Sequence, residues 1–309
     1  MKQFTKNIFL FFLPIITVIF VCLTFLIYMN SQTNEVTLES NINNIYVGDS
    51  HIQLAIDDNM ISNSLNVAKT SESFYFSYYK LKMLTNNNSS IDTVYLGLSY
   101  HSLSSYYDEF IEGKHSSAVS PKYFYLLPLS EQFKMLNLNS NKLLPFFTSI
   151  TKIGINSLIN NESHPYIGSF RSRFEDTKAV KASMDKRLIL QYHTDKGLKP
   201  FSKLNIHYLN KIIEICKSKG IVLITLNTPL HEYYYKKVPV EYKNKLLDII
   251  KSNKLNYINL SNLNLNDDCF IPDGDHVSKI GATQTTLKLK EIIKHERTTS
   301  AISNWGLSD

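Results

Sequence analysis

The longest apolar stretch of the chain comes near its start. Residues 8–28 carry no charged side chain and are dense in Phe, Leu, Ile and Val. About 20 such residues suffice to cross a bilayer as one helix. Lys2 and Lys6 precede the run, Glu35 and Glu39 follow it, and no further Lys or Arg occurs before Lys69. That asymmetry keeps the amino terminus in the cytoplasm and sends the remainder outside. The run is longer than a signal-peptide core, and no small-residue cleavage site follows it, so the reading adopted is an uncleaved anchor. The expected organisation is a stub and anchor over 1–29, a polar tether over 30–44, one domain over 45–296 and a polar tail over 297–309.

Beyond the tether the pattern changes to short apolar runs alternating with amphipathic ones. Strands are predicted over 45–48, 65–68, 92–98, 221–226 and 257–260, short and largely apolar, with 221–226 a continuous apolar run. Helices are predicted over 52–61, 74–84, 204–219, 240–252 and 278–295. Asn86-Asn87-Asn88 stops the second of these, and Gly220 ends the third. Strands of this kind alternating with helices predict an α/β fold, a central parallel sheet covered on both faces. Residues 99–200 break the rhythm. Rich in Tyr, Phe, Leu and Ser, with helices around 130–136 and 143–159, they read as a helical insertion that helps to build a cleft.

Composition narrows the classes. The chain has 309 residues, 43% hydrophobic and 19% charged, which describes a globular protein with a proper core. Its net charge of +6 is modest, and its lysines are spread along the chain. With no zinc-finger spacing, phosphate-binding glycine loop or basic–aromatic repeat, a nucleic-acid partner is not expected. Cys216 and Cys269 read as ordinary buried thiols. No metal or cofactor is expected, and Asp267 and Asp268 read as loop residues.

The chemistry is carried by two short blocks. The first strand runs into Gly48-Asp49-Ser50-His51, and Asp273-Gly274-Asp275-His276 stands just before the last helix. In parallel sheets, ligands collect at the carboxyl ends of the strands, where both blocks fall. A serine hydroxyl is a weak nucleophile without a neighbouring base, and a histidine base needs a group to orient it. The plainer reading of Gly-Asp-Ser is a tight turn or helix cap.

Together the two blocks resemble the SGNH, or GDSL-like, hydrolase superfamily, over roughly 44–294. The resemblance implies a flavodoxin-like three-layer fold. It implies Ser50 as nucleophile, His276 as general base and Asp273 as the carboxylate that orients it. Oxyanion donors would be the Ser50 N–H, the Ala68 N–H where glycine is usual, and the Ser99 hydroxyl where asparagine is usual. His51 and His231 read first as structural residues supporting the site and second as substrate contacts; His101 is a candidate substrate contact or a substitute oxyanion donor. A membrane-anchored subset, the proteins of alginate O-acetylation and teichoic-acid D-alanylation, shares the expected layout. That likeness implies acyl esters, acetyl foremost, of a cell-surface polysaccharide as substrate and a membrane-bound O-acyltransferase as partner. Hydrolysis and transfer both remain open. The departures at Ala68 and Ser99 leave a second class, a non-catalytic glycan-binding or scaffold domain, and a lipid esterase at the membrane surface is a third.

Overall fold

Four consecutive buried residues, Asn44–Val47, form the central strand β1. The computed structural model describes residues 36–159, 164–172 and 177–304, with scattered positions between 3 and 28. The anchor expected over 8–28 therefore falls largely outside the described residues, as does the end of the tail. Among the described residues no helix is long and apolar enough to cross a membrane.

With β2 (Ser64–Asn66), β3 (Thr93–Gly97), β4 (Val222–Asn227) and β5 (Asn256–Asn259), β1 makes a five-stranded sheet, every neighbouring pair parallel. Its order is β2-β1-β3-β4-β5. Alternate side chains of one strand enter different cores, as the pleat requires. Ile45 and Val47 join Val94 and Leu96 on one face, beneath α2 (Phe74–Asn87), α6 (Lys203–Ser218) and α8 (Val240–Asn253). Tyr46 and Tyr95 stack at 4.6 Å on the other, beneath α1 (Ser50–Ala55) and α9 (Lys279–Asn304). This is the α/β, three-layer arrangement expected.

Two boundaries differ for definable reasons. The helix expected over 52–61 stops at Ala55, because the Asn66 side-chain amide reaches back to the carbonyls of Ile52 and Ile56 and satisfies the helix end. The tether packs down earlier than expected. Val36 is buried, its carbonyl accepts from the Asn88 side chain at 3.1 Å, and Leu38 N donates to Asn88 at 2.6 Å.

The insertion holds short 3₁₀ turns between Tyr100 and Leu126, then α3 (Leu129–Leu138), α4 (Leu143–Ile159) and α5 (Lys181–Tyr192). It is no separate body: Tyr123, Phe146, Tyr166 and Tyr192 lie in the same core as α2, and Tyr123 stacks on Phe76 at 4.1 Å. Sequence patterning missed α5 and the short α7 (Glu232–Lys237). In α5 the buried face includes Gln191, which interrupts the apolar stripe. Beneath the insertion lies one buried ion pair. Lys80 Nζ donates to Glu72 at 2.5 Å and to the Val67 carbonyl at 2.7 Å. Burial pushes the Glu72 carboxyl up to about 7 despite that cation.

Candidate active site

Ser50 stands at the carboxyl end of β1, where the order reverses between β2 and β3 and the connecting loops diverge. Asp49 caps α1 by accepting from His51 N at 2.9 Å. Ser50 opens that helix, and its own N–H, like the others of a first turn, has no intrahelical acceptor.

The second block is a turn closed by its own carboxylate. Asp273 Oδ1 accepts from the backbone N–H groups of Asp275 and His276, both at 3.1 Å. Asp273 Oδ2 is then 2.8 Å from His276 Nδ1, and His276 Nε2 is 2.7 Å from Ser50 Oγ. A proton assigned to Nδ1 leaves the Nε2 lone pair facing the hydroxyl. Burial works against charge on Asp273, but the facing His276 outweighs it and holds the carboxyl below its ordinary range. The three groups expected to act together are thus brought into one hydrogen-bonded line.

That line opens on a cavity of about 180 Å³. Ser50, Asp273 and His276 form one side; Leu54, Phe110 and Ile271 supply apolar wall; Thr70, Ser71, Tyr106, Tyr107 and Arg187 complete it. A larger groove, about 420 Å³, lies between Tyr46, Tyr95 and α9 and contains none of the three.

Behind the cavity runs a second set of polar groups. His51 Nδ1 is 3.1 Å from Asp49, and His51 Nε2 is 2.9 Å from Asp275, the latter off the line of a hydrogen bond. Asp49 also accepts from the Tyr107 hydroxyl and lies 2.9 Å from His101 Nε2. Asp275 accepts from Arg187 Nε at 2.7 Å and Gln191 at 2.8 Å. All four acidic and histidine groups, Asp49, His51, His101 and Asp275, are buried. Burial disfavours charge on each, yet His51 holds both carboxyls well below their usual range, with Arg187 helping at Asp275. The His51 imidazole is pushed the other way, up to about 10, by Asp275 and Asp49 against its burial. Burial, then the neighbouring His51, pulls His101 below its usual value.

Several expected site residues lie elsewhere. His51 and His101 are 4% and 1% exposed and line no part of the cavity, so the expectation of substrate contact is corrected: one helical step past Ser50 turns His51 inward. His231 pairs with Asp267 at 2.8 Å, accepts from Tyr233 N and donates its backbone N–H to the Gly274 carbonyl at 2.9 Å. It braces the His276 turn from outside. The Ala68 N–H is already given to Asn66 Oδ1 at 3.0 Å inside the core, which corrects its assignment as an oxyanion donor. Ser99 is buried beside the turn Tyr100–Leu103 and does not line the cavity.

Sequence reasoning did not anticipate Arg187, Tyr107 or the part taken by Asp275. Two clusters, Asp49–His51–His101 and His51–Asp275–His276, bring ligand-type atoms within 4.8 Å of one another. The rings stack, His51 on His101 at 3.9 Å and on His276 at 4.3 Å, with interplanar angles of 29° and 23°. Near-parallel imidazoles in separate planes do not direct their lone pairs at one ion; His51 already faces Asp49 and Asp275, His101 Nε2 faces Asp49, and His276 lies between Asp273 and Ser50.

No family model matches the chain, and no curated protein matches it. Among solved structures it is similar to a GDSL-like lipase from Bacteroides thetaiotaomicron VPI-5482, at 9% identity and a TM-score of 0.40, over 86% of this chain and 95% of that one. It is also similar to a proposed acylhydrolase from Bacteroides fragilis NCTC 9343, at 10% identity and a TM-score of 0.39, over 86% and 94%. Likeness this distant carries no argument about activity, which rests on the side chains.

Proposed function

We propose that the protein is a serine esterase or O-acyltransferase acting on acyl esters through Ser50, His276 and Asp273. The carrying observation is the unbroken line from Asp273 Oδ2 through the imidazole to Ser50 Oγ, at 2.8 and 2.7 Å, ending at an open cavity. Ser50 Oγ attacks the acyl carbonyl while His276 Nε2 takes its proton; Asp273 keeps the ring oriented and offsets the charge it gains. His276 then returns the proton to the departing alkoxide, leaving an acyl-serine. Water completes hydrolysis; a sugar hydroxyl in its place completes transfer. The cavity, with Leu54, Phe110 and Ile271 in its wall, suits a short acyl group such as acetyl.

Oxyanion stabilisation is the weak step. The Ser50 N–H is the first donor, and the turn at Ser71, held at φ +65° on the cavity wall, is the proposed source of a second. One missing donor raises a barrier by about 2.7–4 kcal/mol. With Ala68 committed elsewhere, a slow enzyme follows, or the second reading: a glycan-binding or scaffold domain that keeps the geometry without the turnover. The apolar run 8–28 supports an anchored protein with its domain outside the cytoplasm, acting on an O-acylated surface polysaccharide beside a membrane-bound O-acyltransferase.

A fluorophosphonate separates the two readings. The enzyme reading expects covalent labelling of the full chain, abolished by Ser50→Ala, together with acetate release from an O-acetylated glycan. An unlabelled parent sinks it and favours the scaffold. Activity confined to long-chain lipid esters would replace the glycan as substrate.

A further inference from the structure

Next to the serine and its base, the chain buries a histidine that the proposed chemistry does not use. His51 has a carboxylate at each ring nitrogen: Asp49 at 3.1 Å on Nδ1 and Asp275 at 2.9 Å on Nε2. A neutral imidazole has one N–H and one lone pair, so one of its nitrogens would meet a carboxylate with electrons facing electrons. A doubly protonated ring is hydrogen-bonded to Asp49 through Nδ1 and, off the line of a hydrogen bond, sets its charge 2.9 Å from Asp275 at Nε2. The raised proton affinity of His51 agrees with that geometry.

We propose that His51 is a positioning residue for the Ser50–His276 pair, a cation hydrogen-bonded to Asp49 on one edge and ion-paired with Asp275 on the other, whose flat face holds the His276 ring in line with Ser50. This rests on the reading of Ser50 and His276 given above. Asp273 fixes one edge of the His276 ring, and a single hydrogen bond leaves the ring free to swing about it. The stack on His51, 4.3 Å between centroids and 23° between planes, removes that freedom. His51 is itself held on its far side by His101 at 3.9 Å. The clamp is anchored at both ends. Asp49 is held by Tyr107 and His101, and Asp275 by Arg187 and Gln191 of α5, so the insertion contributes to holding the base.

Charge adds a second effect. A cation facing His276 opposes the positive charge which that ring gains from the serine, and favours its release to the leaving group. The other ionisable groups around His51 are Asp49 and Tyr107 on one edge, Asp275 and Arg187 on the other, His101 behind it and Asp273 beyond His276. Removing the His51 cation therefore moves the acid limb of the reaction to higher pH.

The test measures fluorophosphonate labelling of the full chain in detergent micelles across pH 5–9 for the parent, His51→Gln and His51→Phe. The expected result is a maximal labelling rate at least tenfold lower in His51→Gln, with less than twofold change in the half-saturating reagent concentration. Phe, which keeps a flat face, retains more rate than Gln. In both variants the acid limb moves up by at least half a pH unit. Because either variant strands two buried carboxylates, ¹⁵N spectra of the histidine-labelled parent provide an independent arm: both His51 nitrogens remain protonated from pH 6 to 8.5. A neutral His51 at pH 7 overturns the proposal. So does a His51→Gln chain that labels at the parent's rate with the parent's pH profile. A parent that is never labelled at Ser50 overturns the catalytic reading as well, which distinguishes the two failures.

Discussion

Gly97, the last residue of β3, sets how closely α1 approaches the sheet, and replacing it with alanine tests whether that approach positions Ser50. A Cβ at residue 97 would lie 2.5 Å from Ile52 Cγ1 and 3.2 Å from Ile52 Cδ1. The nearest ordinary contact is 3.4 Å, so Ile52 must retreat by about 0.9 Å. Ile52 is fully buried and its Cγ1 is the first atom beyond the branch, so the side chain cannot simply swing clear. The retreat passes to the short helix that begins at Ser50. Overpacking of this kind costs about 1–3 kcal/mol in stability. A hydroxyl misplaced by about 1 Å costs roughly a hundredfold in rate. Gly97→Ala is therefore expected to unfold at lower urea, by about 2 kcal/mol, and to label with fluorophosphonate about a hundredfold more slowly than the parent. A variant of unchanged stability and labelling rate would refute the claim that this contact seats the serine.

Two further predictions concern buried charge. At pH 8, where the folded Glu72 has lost its proton, Lys80→Met leaves that carboxylate in the core without its cation and should lower stability by about 3–5 kcal/mol, whereas Lys80→Met with Glu72→Leu should recover most of that; urea midpoints decide, and a single variant within about 1 kcal/mol of the parent at that pH would contradict the pairing. Stability should peak near pH 5 and fall towards pH 8. Glu72, raised to about 7, keeps its proton in the folded chain above the pH where the unfolded chain loses it, and His51, raised to about 10, does the same above about 6.5. Each proton so retained makes stability decline by up to about 1.4 kcal/mol per pH unit. Above about 8 the slope should flatten, because Lys69, lowered to about 8 mainly by burial, acts with the opposite sign. Urea titrations from pH 4 to 9 that show no decline between 5 and 8 would rule out the buried His51 cation.

The sheet was legible because its strands are short, largely apolar runs alternating with amphipathic helices; each strand of the five-stranded sheet lies within two residues of its expected limits, whereas the exposed hairpin of His193–Thr194 with Gly197–Leu198 carries no apolar run to mark it. The meeting of Ser50 with Asp273 and His276 was also legible, since both blocks sit at loops on the strands' carboxyl side. Less visible were features that depend on side chains bonding far along the chain. Arg187 reaches Asp275 across 88 residues, and no local pattern marks the pair. Ala68 is spacing-compatible with an oxyanion role, yet its N–H is taken by Asn66 only two residues away, a choice made by rotamer and not by composition. Adjacency to Ser50 leaves both a structural role and a substrate contact open for His51, and the structure places it behind the cavity. Helical rotation puts neighbours about 100° apart, and that single step separates the cavity from the charge clamp behind it.

The docking of Val36 and Leu38 onto Asn88 would shorten any leash between an anchor at 8–28 and the domain. If residues 8–28 hold the bilayer, only seven residues, eight peptide steps, separate Tyr28 from Val36, an extended reach of roughly 26–29 Å. Under the proposed function, a domain so closely moored would not reach the outer layers of an envelope. It would meet polymer as the polymer emerges at the membrane, so any modification it made or removed would be set during export and not on the finished coat.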